Sequence, residues 1–359
     1  MYDIELVLDQ MELELIQNMK KYLQKGTKSD DIYKWQQQRL NDLEKFRQQN
    51  KKIIKKYQKT IKEGTIYDLR SEYKKQCDKE LKRIIKKYPG KYDLDIDTKD
   101  FKSLSDKRLM MLLNEVLDTQ TKALNAAFRT IEDVYRQTIF KTAVLINSGE
   151  YNLVPAIDLA QKDFLAKGIT NIVYASGAVV PIRSYCEMAL RTNRTRTALY
   201  GRGLVREQLG LYLVRVSYHQ SSCEKCGPFE NRIAFDDVHE QGGVNDTQYP
   251  NLSEFVEGGL FHPNCRHMTY LFDPDVDDEN DIPEHLRYTE EDKERYKAEQ
   301  HQRKLERDIR KYKRMQQGSL DPKNRDKYDN KLKNKEKELK EFLKQNPKLR
   351  RKEWRERLE

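Results

Sequence analysis

The chain has 359 residues, 69 of them Lys or Arg against 59 Asp or Glu, for a net charge of +10. Charged residues make up 36% and hydrophobic ones 37%. The length suits roughly two folded units of about 100–200 residues each, and a charged fraction well above ~25% means long solvated helix faces. Apolar runs such as Ala143-Val144-Leu145-Ile146 fall far short of the ~20 residues a membrane span needs. The acidic start Met1-Tyr2-Asp3-Ile4-Glu5 lacks the basic-then-apolar order of a signal peptide, which argues against a secreted protein.

Ile4, Leu8, Met11, Leu15 and Met19 recur at three- and four-residue steps and predict an amphipathic first helix. Gly26-Thr27-Lys28-Ser29-Asp30 breaks it, and Ser29 or Asp30 can cap a helix starting near Ile32. A further helix is predicted over Ile66–Tyr88, ending at Pro89-Gly90. The longest apolar-periodic stretch opens at Ser103-Leu104-Ser105-Asp106 and runs to Ile146, as one long helix or a broken pair. Its stripe includes Leu109, Leu112, Leu113, Val116, Leu117, Leu124, Phe128, Ile131, Val134, Tyr135 and Ile139. Val154–Ala166 predicts a shorter helix ending at Gly168.

Beyond Gly168 the period changes. Ile169–Tyr174 and Ala178–Pro181 flank Ser176-Gly177 as a β-hairpin. Tyr185–Gln208 is an arginine-bearing helix, Leu211–Ser217 a strand, Arg232–Phe235 a short strand and Met268–Phe272 a last one. The acidic segment Asp273–Asp281 reads as a linker to two charged helices separated by a break from Gly318 to Pro322. The fold class is α+β: long N-terminal helices, a small mixed or antiparallel sheet core with a Cys/His cluster, and charged C-terminal helices. Composition divides the chain into a charged helical arm (1–100), core-packing helices (101–167), the small α+β core (168–273), and an acidic linker with a charged helical arm (274–359).

Net charge is about +8 over residues 1–90, −1 over 91–270, −8 over 271–300 and +11 over 301–359. Basic arms can hold nucleic acid by releasing counterions, or they can be solvated helix faces balanced by Glu and Asp. No Walker-type glycine loop, dinucleotide fingerprint or serine nucleophile elbow is present, and Gly201-Arg202-Gly203 is too short for a phosphate cradle.

The sharpest chemical signal lies between residues 217 and 270. Cys223-Glu224-Lys225-Cys226 can aim two thiolates at one metal ion, and His262, Cys265 and His267 can complete a tetrahedron, with His219 in reserve. Zn²⁺ is the cofactor this pattern suits, with the fourth ligand open. Two other chemistries remain: a reduced cluster packed in the core, and Cys265 as a nucleophile with His262, His267 or His219 as base. The latter needs only one thiol, so it does not account for three cysteines. Cys77 and Cys186 read as ordinary half-buried thiols, and His239, His285 and His301 as surface positions. Arg191, beside Thr192, and Arg266, between two proposed ligands, are candidate structural or binding residues, since guanidinium forks hold carboxylates and phosphates.

Several separated motifs resemble the phage minor capsid protein 2 family. They are Lys167-Gly168-Ile169-Thr170, Tyr174-Ala175-Ser176-Gly177, Ser184–Thr192, Leu213–His219, Gly259-Leu260, Asn264-Cys265-Arg266-His267 and the Arg-rich Gln302–Arg310. The resemblance spans roughly residues 100–316, and this family is a relative of the Mu-type head morphogenesis proteins of tailed phages. It implies a minor structural protein of the phage head, present in few copies in the virion and assembled in the host cytoplasm. Its implied associations are with the portal and the packaged double-stranded DNA, and it implies no established enzymatic activity; a head role makes the portal protein and the major capsid protein the expected protein partners.

Overall fold

The structure, a computed structural model, describes residues 3–28, 31–91, 98–173, 177–240 and 243–358, with the backbone alone for 98–106. Among these, nine α-helices are α1 (Ile4–Leu23), α2 (Ile32–Asn41), α3 (Leu43–Lys87), α4 (Thr98–Asn147), α5 (Leu153–Lys167), α6 (Ile182–Gln208), α7 (Leu252–Glu257), α8 (Glu290–Gly318) and α9 (Pro322–Gln345). The strands are β1 (Asn171–Val173), β2 (Val179–Pro181), β3 (Leu213–Val216), β4 (Ile233–Phe235) and β5 (Thr269–Leu271). β1 and β2 pair antiparallel, and a second antiparallel sheet has the order β4-β3-β5. The α+β class holds, dominated by helix. No helix among the described residues is long and apolar enough to cross a membrane.

The cap of α2 is Asp31, whose carboxylate accepts from the Lys34 N–H; Ser29 and Asp30 lie outside the described residues. So do hairpin residues Tyr174, Ala175 and Ser176. The helix predicted over Ile66–Tyr88 is the second half of α3, which runs 45 residues without interruption. No proline occurs before Pro89 to remove a backbone donor, and Gly64 inside the helix costs only about 1 kcal/mol. The break falls instead at Asp42, between α2 and α3. The stretch from Ser103 to Ile146 likewise forms one helix, α4.

The chain forms two compact units, each drawn from separated segments. One comprises chiefly Gly64–Asp118 and Met188–Ala298; the other comprises Asp3–Glu63, Thr119–Glu187 and Glu299–Glu359. In the latter, the α1 stripe Ile4, Leu8, Met11, Leu15 and Met19 is buried, as its spacing predicts. Phe46 stacks on Tyr135 at a centroid distance of 4.1 Å, and buried Trp35 donates its indole N–H to the Leu23 carbonyl at 3.2 Å. Arg183 is buried and ion-paired with Asp9 (2.8 Å) and Glu5 (2.5 Å), which offsets the cost of placing its charge inside.

The other unit holds the three-stranded sheet. Its core packs Val214, Val216, Ala234, Leu252, Phe255 and Leu260 around Cys226 and Cys265. Arg206 of α6 is fully buried and bonded to Glu80, Asp236 and Glu240 at 3.2, 2.9 and 2.7 Å. His239, read from sequence as a surface position, is buried beside this group, with Nδ1 3.0 Å from Asp236. A glycine makes that burial possible: a Cβ on Gly203 would stand 2.6 Å from the His239 carbonyl oxygen. His285 and His301 are exposed. The acidic segment after β5 is tethered, with Asp273 bonded to Tyr88, Asp277 to Lys87, and Arg215 donating to the Asp278 carbonyl at 2.9 Å.

Candidate metal centre

Two tight turns carry the candidate ligands. In the first, the Cys226 and Gly227 N–H groups return to the Cys223 carbonyl (3.1 and 3.0 Å), which brings both thiols to one side. In the second, the Cys265 N–H returns to the His262 carbonyl at 2.9 Å, pairing a histidine and a cysteine with the same two-residue gap. Asn231, Phe261 and Asn264 adopt φ values of 61°, 58° and 71° around these turns. For a bulky residue such as Phe261 that conformation costs about 1–2 kcal/mol, and strain of this kind concentrates at functional sites.

The ligand atoms form two triads. Those of Cys223, Cys226 and His262 lie within 4.8 Å of one another, and so do those of Cys226, Cys265 and His267. Cys226 is shared. Its Sγ is 3.7 Å from that of Cys265, Cys223 Sγ is 3.1 Å from His262 Nε2, and Cys265 Sγ is 3.3 Å from His267 Nδ1. Tetrahedral coordination with bonds of about 2.3 Å to sulfur and 2.0–2.1 Å to nitrogen has edges of about 3.8 Å (S···S) and about 3.5 Å (S···N). The observed separations approach those edges, and a set of thiols and imidazoles is one soft metals favour.

Both histidines have their outer nitrogen engaged. His262 Nδ1 is 2.8 Å from the Pro263 carbonyl, and His267 Nε2 is 2.7 Å from Glu230 Oε1. In a metal-bound form, donation to these oxygens would turn the lone pair of the other nitrogen toward the thiols. Glu230 is buried, and its Oε1 also accepts from the His219 N–H (2.7 Å) and from Ser222. Its Oε2 is buried beside the cluster without a hydrogen-bond partner.

Within the second triad one group sheds its proton readily and two hold theirs, so metal binding there would release protons. The bond from Cys226, with added help from His267, pulls the Cys265 thiol well below its ordinary value, and the same bond together with burial pushes Cys226 up. Burial works against charge on His267, but its bonds to Cys265 and Glu230 outweigh it and lift the imidazole to about 9. Cys77 and Cys186, read from sequence as half-buried, are buried outright, and burial pushes both up to about 12, as befits inert thiols.

His219 belongs to neither triad; its Nδ1 accepts from the Ser221 N–H at 3.1 Å, and its ring lies 6.0 Å from that of His267. Arg191 reaches the second turn, donating to Asn264 Oδ1 at 3.2 Å. Its neighbour Thr192 accepts from the Asn264 N–H (3.2 Å), and Thr195 donates to the Cys265 carbonyl (3.4 Å). One face of α6 therefore steadies the turn that carries Cys265. Arg266 is half-buried between Cys265 and His267. A cleft of about 580 Å³, lined by α4 and α6, reaches Cys265 and His262. Sequence reasoning missed Glu230 and Ser222, since one Glu among many polar residues carries no spacing signal.

No curated protein and no solved structure matches the chain. One family model does, that of phage minor capsid protein 2, and its match extends over residues 2–344, well past the 100–316 carried by the separate motifs. Covering nearly every element from α1 through α9, ligand turns included, that match shows that the chain belongs to the phage minor capsid protein 2 family.

Proposed function

We propose that this chain acts in assembly of a tailed-phage head at or near the portal, is built in the host cytoplasm, and stays in the virion in few copies. Membership of a structural capsid family supports the head role. The observation that carries the molecular part is the pair of Cys/His triads sharing Cys226. In this reading Cys223, Cys226 and Cys265, with His262 or His267, hold Zn²⁺, and Glu230 orients His267. The metal would cross-link two turns and the edge of a small sheet, where its binding free energy becomes folding free energy. The result is a rigid node from which charged helices contact the portal protein, the major capsid protein and packaged DNA.

Quantitative mass spectrometry of purified virions tests the location: one to a few copies per portal ring is the expected ratio. Absence from particles despite strong expression in infected cells would refute it. Metal analysis of the purified chain tests the node, with one zinc per chain expected.

A second reading, a cysteine-dependent enzyme, draws on one observation: Cys265, which lines the cleft, is 3.3 Å from His267 Nδ1, and His267 Nε2 is 2.7 Å from Glu230. It leaves Cys223 and Cys226 without a role. Alkylation of Cys265 near neutral pH, far ahead of the other four thiols, would favour it; equal sluggishness of all five would dismiss it.

A further inference from the structure

The first part of α3 carries eight basic residues against two acidic ones between Leu43 and Glu63. At about 100° per residue, Lys45, Lys51, Lys52, Lys55, Lys59 and Lys62 fall within an arc of about 120°. The opposite side of the helix carries Phe46, Asn50, Ile53, Ile54 and Ile61, all buried in their own unit. The lysines are all exposed. Lys59 has one loose neighbour, Glu63 at 3.9 Å, while Lys45, Lys51, Lys52, Lys55 and Lys62 have no ion-pair partner among the described residues.

The other lysine-rich helix is built differently. α9 interleaves Asp326, Asp329, Glu336, Glu338 and Glu341 with its cations, and Lys333, Lys335 and Lys337 are all paired. Its field is quenched locally, whereas that of α3 is left open to solvent.

We propose that the lysine face of α3, from Lys45 to Lys62, is a contact surface for the phosphate backbone of double-stranded DNA. The face extends over about 25 Å at 1.5 Å per residue, along which a duplex presents about 15 phosphates at one per 1.7 Å. A membrane surface fits less well, because an interfacial helix must bury an apolar face in lipid, and the apolar side of α3 is already inside the protein. This inference takes only the identity of the polyanion from the head role proposed above, so loss of DNA binding would leave the portal reading standing.

The test is fluorescence anisotropy of the full chain with a 30-base-pair duplex, titrated at 50–300 mM salt. Contacts from the five unpaired lysines give a log–log salt slope of about −4.5, a fall of roughly 500-fold between 50 and 200 mM. K51Q/K52Q/K55Q/K62Q should make the slope shallower by about 3.6. K327Q/K333Q/K337Q/K340Q on α9 removes the same charge and should change it far less. The pair K51Q/K55Q, expected to shift the slope by about 1.8, serves if the quadruple variant melts differently from the parent. Equal effects of the α3 and α9 variants would overturn the proposal. So would binding to phosphatidylserine vesicles but not to the duplex.

Discussion

Replacing Cys226 by Ser should remove the metal altogether and, with it, a defined share of stability. Cys226 is the one ligand common to both triads, so its loss leaves at most two donors on either side, whereas loss of Cys223 leaves the second triad intact. A bound ion at 1,000 times its dissociation constant stabilises the folded state by about 4.1 kcal/mol. At about 2–4 °C per kcal/mol for a unit of 150–250 residues, that corresponds to roughly 8–16 °C in melting temperature. The substitution has a second cost, since Cys226 packs among Val214, Val216 and Leu252 and a hydroxyl buried there without a partner costs about 1–3 kcal/mol. Chelation separates the two. Parent and variant are melted by differential scanning calorimetry with and without a strong chelator, alongside metal analysis. The parent should lose the full increment on chelation while Cys226→Ser loses nothing further. A chelator-insensitive parent, or metal retained by Cys226→Ser at the parent's level, would refute the reasoning.

Three further outcomes follow from particular contacts. Glu230→Gln removes the carboxylate that holds His267 Nε2 at 2.7 Å and should weaken metal affinity by about 10–100-fold in chelator competition; unchanged affinity would mean Glu230 does not orient the ligand. Burial pushes Glu240 up to about 9 against the opposing pull of Arg206, so the folded state holds this proton more tightly than the unfolded chain. Stability from that proton is full below about pH 4.3 and is lost as pH rises through 9; Glu240→Gln should therefore flatten denaturation midpoints measured between pH 5 and 9, and parallel curves would count against it. Phe46→Ala, which removes a fully buried ring stacked on Tyr135, should cost about 3–5 kcal/mol in urea unfolding while metal content stays at the parent's value; loss of metal as well would show that the two compact units do not respond separately.

Local patterning accounts for the elements and for the clustering of thiols and imidazoles in one stretch of chain. The α1 stripe, the hairpin, the three short strands and the two charged C-terminal helices are all local patterns of period 3.6 or 2 with glycine or proline punctuation, and local patterns survive in one dimension. The Cys-x-x-Cys turn was equally legible, because two residues between thiols fix their direction whatever surrounds them. Tertiary structure alone decided what stands beside those elements. His239 looked like a surface residue until Gly203 allowed its loop to press against α6. Glu230 reached His267 across 37 residues of sequence. The two compact units are each assembled from distant segments, which composition in chain order cannot trace, since side-chain burial is set by neighbours in space and not by neighbours along the chain.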